Sequence, residues 1–127
     1  MVDSVPVLVI DGDPAVRDSV ETLATTTNAA VRSFSSAAAF FDSKDAGNAT
    51  VVVCADQLPD ANGLEVFQQL KDDGFEGAFA LLLNRADAHL ARHARRIGVT
   101  NVLRKPLITM ELMRFLGAST RQWTRNE

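Results

Sequence analysis

Apolar and polar positions alternate along this chain in blocks, and the blocks fall into a strand–helix rhythm repeated five times. Short apolar runs read as strands near 5–11, 30–34, 50–55, 78–83 and 100–104, and amphipathic stretches read as helices near 14–26, 36–43, 63–73, 86–97 and 109–117. The first, third and fourth runs (Val7–Ile10, Val51–Cys54, Ala78–Leu83) are continuously apolar, as strands covered on both faces are. The second, AAVRSF, mixes polar and apolar residues and suits a sheet edge or a less covered place. Helix signals agree with these limits. Asp13–Pro14 supplies an N-cap and a first-turn proline, and Ser35 or Ser36 can cap the second helix. Gly63 opens the third helix, Gly98 ends the fourth, and Thr109 can cap the last. The inward faces are Val16, Val20, Leu23 and Ala24, then Leu64, Phe67 and Leu70, then Leu90, Ala94 and Ile97, then Leu112, Met113 and Leu116.

This rhythm predicts an α/β fold, a five-stranded parallel sheet wound on both faces by helices. At 127 residues the chain has the size of one domain, and its 46% hydrophobic content suffices for one core. Residues 1–117 form the expected domain, and 118–127 a polar tail containing Trp123. The chain begins at Met1 with neither a basic start nor a long apolar run, so no leader or membrane span is expected. A net charge of −3 argues against direct nucleic-acid binding. A single cysteine, Cys54, allows no internal disulfide and suits a reducing, cytoplasmic location; its position in an apolar strand makes it a small core residue.

Candidate chemistry gathers where strands one, three and five end. In an open parallel sheet, ligands bind beyond the carboxyl ends of the strands. The charges there are Asp11, Asp13, Asp56 and Lys105. Together with the loop LPDANGLEVF and the pair Lys105–Pro106, over residues 5 to about 117, they make the chain resemble the receiver domain of two-component response regulators, in particular receivers of helix-turn-helix transcriptional regulators. The resemblance implies a flavodoxin-like sheet with strand order 2-1-3-4-5. It also implies a pocket in which acids hold magnesium, an aspartate ending strand three takes a phosphoryl group from a histidine kinase, and a hydroxyl and a lysine contact the phosphate.

Matched position by position, that pocket is degenerate. Asp11 matches the first acid, but Gly12 stands in the place of the second, and Asp13 lies one residue late, where it can cap the helix instead. Four residues before Pro59, and fifty before Lys105, the phosphoacceptor position is Ala55. The hydroxyl position is Leu83, and the aromatic position in strand five is Val102. Lys105–Pro106 matches the Lys–Pro pair, whose proline in the family follows a cis peptide bond. Alanine has no nucleophilic oxygen and leucine no donor. Magnesium wants carboxylate oxygens that only Asp11, Asp13 and Asp56 could offer, so no metal or other cofactor is expected unless the pocket functions.

The neighbouring Asp56 should face away from Lys105, because side chains alternate along a strand; an Asx-turn at the strand–loop boundary is its plainer role. Lys105 should then pair with Asp11. His89 and His93 lie four apart on the fourth helix, but with Arg85, Arg92, Arg95 and Arg96 they read as a solvated basic face, not a zinc site. Arg92, His93 and Arg96 mark a surface for an acidic protein partner. The resemblance adds a possible homodimer through the fourth helix, fifth strand and fifth helix.

The expectation is therefore a non-enzymatic interaction module in phosphorelay signalling, partnered by a kinase, an output domain or another regulator and not phosphorylated at Ala55. The alternative is a working receiver that uses Asp56. A flavin-binding or enzymatic flavodoxin-like domain is the remote third reading, and DGDPAV lacks the Ser/Thr/Gly-rich phosphate loop it would need.

Overall fold

The computed structural model describes residues 5–25, 27, 29–99, 101–105, 111 and 114–118. The sheet contains β1 (Val5–Ile10), β2 (Ala29–Phe34), β3 (Val51–Ala55), β4 (Ala78–Leu83) and β5 (Asn101–Arg104). They pair in parallel in the order β2-β1-β3-β4-β5. The helices are α1 (Pro14–Ala24), α2 (Ala37–Phe41), α3 (Gly63–Asp72) and α4 (Ala88–Arg96), and further helical residues occur at 111 and 114–118. The α/β class, the parallel sheet and the strand order are those expected.

Alternation along the buried strands divides the core in two. Leu8, Ile10, Val52, Cys54, Leu81 and Leu83 face α2, α3 and α4, where Phe40, Val66, Phe67, Leu70 and Ala94 cover them. Val5, Val7, Val9, Val51, Val53, Ala80 and Leu82 face the other side, under Val20, Ala24, Phe115 and Leu116. Burying each Val, Leu, Ile or Phe among them contributes roughly 1.5–3 kcal/mol. β2 is an edge strand, and its burial alternates as the mixed sequence AAVRSF implies.

Differences from expectation lie at the element ends. The second helix is one short turn, followed by a 3-10 segment at Ala46–Asn48 that the apolar pattern does not announce. α3 starts at Gly63, but the cap is Asn62, in a reciprocal capping box with Glu65. α4 starts two residues late because Asp87 caps it, accepting from the Leu90 amide at 3.0 Å. Asp13, Ser36 and Gly98 act as expected; Gly98 has φ +111°, a conformation other residues avoid. Thr109, Leu112, Met113, Pro106 and Trp123 lie outside the described residues.

Candidate functional site

The carboxyl ends of β1, β3, β4 and β5 are brought level by ladder bonds that run past the strands. The amide of Asp11 donates to Phe34 O, that of Asp56 to Leu82 O, and that of Lys105 to Leu83 O. At this rim Asp11, Ala55 and Leu83 are 2%, 0% and 4% exposed. Ala55 pairs in register with Leu82. Its carbonyl is closely overlain by Gly63, where a Cβ would collide with that oxygen and with Leu81. Ala55, the residue expected at the acceptor position, is thus a methyl group sealed in the sheet end.

The charged groups that remain are largely satisfied by one another. Lys105 Nζ lies 2.8 Å from Asp11 Oδ2, with side chains 16% and 3% exposed. That oxygen takes no hydrogen bond besides this ion contact. Asp11 Oδ1 accepts from the Asp13 amide at 2.9 Å, and Asp13 Oδ1 from the Ala15 amide at 2.9 Å. Arg17 Nη1 donates to the Asp11 carbonyl at 2.7 Å, a support that nothing in the apolar pattern flags. Asp13 is therefore engaged as the helix cap. Gly12 is glycine without conformational need: its φ is not positive, and a Cβ would meet Pro59 Cδ at an ordinary 3.5 Å.

Asp56 lies beside this cluster and differs from it. It lines the groove between α3 and α4, and its Oδ1 is buried without a hydrogen-bond partner. Burial pushes its carboxyl above the usual range, while the Lys105 charge and nearby backbone amides pull it back. The expected Asx-turn does not form: the Leu58 amide that would close it donates to Ala61 O at 2.9 Å. Next in line, the Cys54 thiol is buried, held far up by desolvation and then by Asp11 and Asp56, and it points its Sγ at Ala55 O, 3.3 Å away. It behaves as a small core residue.

Magnesium does not fit this donor set. Two of the expected carboxylate positions are Gly12 and Ala55, Asp13 is spent on the helix amide, and Asp11 on an ammonium. Among the described residues no three His, Cys, Asp or Glu side chains converge as metal ligands. On α4, His89 and His93 bring no third ligand with them, and His89 Nδ1 lies 3.1 Å from Arg92 Nη2. Val102 is half-buried against the α2–α3–α4 side of the core.

One further carboxylate organises the rim. Asp60, in the β3–α3 loop, accepts the Ala37 and Ala38 amides at 3.0 and 2.8 Å, tying that loop to the start of α2. The Ala38 and Ala37 amides hold its carboxyl below the usual range. The match of LPDANGLEVF to a family loop locates this residue but does not reveal its contact.

With this arrangement in view, the family is plain. The sequence model of the response regulator receiver domain matches residues 7–116, so the chain belongs to that family of two-component signalling domains. It is 35% identical over 106 residues to the transcriptional regulatory protein FixJ of Azorhizobium caulinodans, covering 84% of this chain and 50% of that protein. It is 29% identical over 113 residues to the transcriptional regulatory protein TdiR of Thauera aromatica, covering 89% and 50%. The chain spans about half the length of these curated relatives. Among solved structures, a response regulator receiver domain protein from Clostridium thermocellum superposes with TM-score 0.82 at 19% identity, covering 97% of this chain and 99% of that one. A receiver protein from Pseudoalteromonas atlantica gives 0.81 at 20% identity, covering 95% and 98%. At such identities these structures speak for the fold. Among the described residues no helix is long and apolar enough to cross a membrane.

Proposed function

We propose that this chain is a receiver that has left phosphoryl chemistry and acts as a protein-interaction module in two-component signalling. The observation that carries this reading is the sealed methyl of Ala55 at the acceptor position, beside a lysine already neutralised by Asp11 at 2.8 Å. An acyl phosphate needs a carboxylate oxygen, and Ala55 has none. Leu83 gives a phosphoryl oxygen no donor, and Gly12 gives a cation no ligand. In an ordinary receiver, a phosphate arriving beside the lysine changes the pocket's charge. Here Asp11 holds the ammonium at 2.8 Å, and Ala55 offers no oxygen through which a phosphoryl group could change the pocket's charge.

The function then rests on surfaces. The partner is a kinase, an output domain or another regulator, in the cytoplasm, with transcription as the downstream process by analogy with the FixJ and TdiR relatives. Arg92, His93 and Arg96 are exposed on α4, and no described carboxylate pairs with either arginine. They suit an acidic partner. No cofactor and no catalytic role is assigned.

A second reading is phosphorylation on Asp56, favoured by one observation: its buried Oδ1 lacks a partner while Lys105 exerts a pull on the carboxyl. One experiment separates the two. The protein is incubated with acetyl phosphate and Mg²⁺, and its intact mass is measured. The leading reading predicts an unchanged mass. Addition of one phosphate, mapped to the peptide containing Asp56 and abolished by Asp56→Asn, would establish the second.

A further inference from the structure

The charge of this chain is unevenly placed. Residues 84–98 hold four arginines and one aspartate, a net +3, so the rest of the chain carries −6 of the total −3. On α4, His89, Arg92 and Arg96 recur at spacings of three and four, which puts them on one stripe, and Arg85 lies in the loop before the cap Asp87. All four are exposed, and the three arginines have no carboxylate partner among the described residues. Directly beside this stripe runs a groove of about 750 Å³ between α3 and α4. Its apolar floor includes Leu90 and Ile97, which pack on the core, and its α3 wall carries Glu65 and Asp72. Asp56, with its unpartnered Oδ1, also lines it.

Acidic wall, apolar floor and basic stripe thus lie next to one another on one face. A two-fold interface needs a patch that complements itself. Two copies related by an axis through this groove would each set the α4 arginines against the other's α3 carboxylates. The Leu90 and Ile97 floors would meet between them.

We infer that the α3–α4 face is a self-association surface, its occupant the same face of a second copy of this chain, held by α4 arginines against α3 carboxylates around an apolar centre. This surface differs from one built on the fourth helix, fifth strand and fifth helix, and it does not depend on whether Asp56 is ever phosphorylated. The contact is small and rich in charge, which places it in the weak, salt-sensitive class.

Sedimentation velocity tests it on the intact chain. At about 0.05 M salt, a monomer–dimer shift is expected between roughly 10 µM and 1 mM protein, receding at about 0.5 M salt. Arg92→Glu with Arg96→Glu should weaken association about tenfold or more, and so should Asp72→Lys with Gln68→Lys, Gln68 lining the same α3 wall of the groove. All four side chains are exposed, so the fold should survive these changes, which circular dichroism checks. The decisive arm mixes the two charge-reversed variants. Each repels its own copy, but both contacts of the mixed pair are again opposite in sign, so heterodimer must return. Three results would overturn the inference: a wild type that stays monomeric at 1 mM in low salt, a dimer indifferent to the reversals, or a mixture that fails to recover.

Discussion

At the scale of single residues, the Asp11–Lys105 contact is the one buried charge pair described, and its physics is asymmetric. Removing one partner strands a charge that is 3% exposed, whereas neutralising both removes the penalty along with the attraction. Lys105→Met is expected to lower unfolding free energy in urea by about 2–3 kcal/mol. Lys105→Met combined with Asp11→Asn should recover most of that, since asparagine keeps an acceptor for the Asp13 amide. Asp56 works in the other direction. Its folded-state carboxyl is raised by burial, so its ionised form opposes folding. The stability it contributes is present below the ordinary carboxylate pKa and is lost as pH rises through the folded one. Asp56→Asn should therefore raise the urea midpoint near neutral pH, and the gain should vanish below about pH 4. The sequence carried much of this. The count back from Pro59 and Lys105 located Ala55, and the missing partners of Lys105 pointed to Asp11. It could not show the unpaired oxygen of Asp56 or the support from Arg17, because both depend on distances across the rim.

At the scale of elements, the apolar periodicity located all five strands and four of the helices to within a few residues. It missed by two residues at the start of α4, where a polar side chain, not an apolar one, sets the limit. Asn62 and Asp87 fix the starts of α3 and α4, and the N-x-x-E spacing of Asn62 and Glu65 was readable as a cap. The tie from Asp60 to α2 was not readable, because its partners lie 22 and 23 residues away. Asp60 is held below its usual pKa by the amides it accepts, so its contribution is present above the unfolded carboxylate pKa and lost as pH falls through the folded one. Asp60→Ala should speed hydrogen exchange of the Ala37 and Ala38 amides while leaving α3 and α4 protected. Acidification of the wild type should reproduce the loss of protection at these two amides, taken relative to the intrinsic exchange rate at each pH. Gly63 is a second element-level constraint. Gly63→Ala has no room above the Ala55 carbonyl and should cost about 1–3 kcal/mol in thermal or urea unfolding.

At the scale of the whole molecule, the described residues form the receiver sheet, and the proposed reading locates the change at the carboxyl ends of its strands. Both core layers and the strand order of the receiver fold are present. On the proposed reading the change lies at positions 12, 55, 83 and 102. Gly12 in particular has space for a side chain and an ordinary backbone conformation. The groups needed for acceptor chemistry should therefore be restorable. The most direct measurement treats the wild type and the Gly12→Asp, Ala55→Asp, Leu83→Thr variant side by side with a small phosphodonor and Mg²⁺, and quantifies acid-stable, base-labile protein phosphate. A silent centre on a sound scaffold predicts phosphate on the variant and none on the wild type. Phosphate on the wild type at a level matching the variant would contradict it.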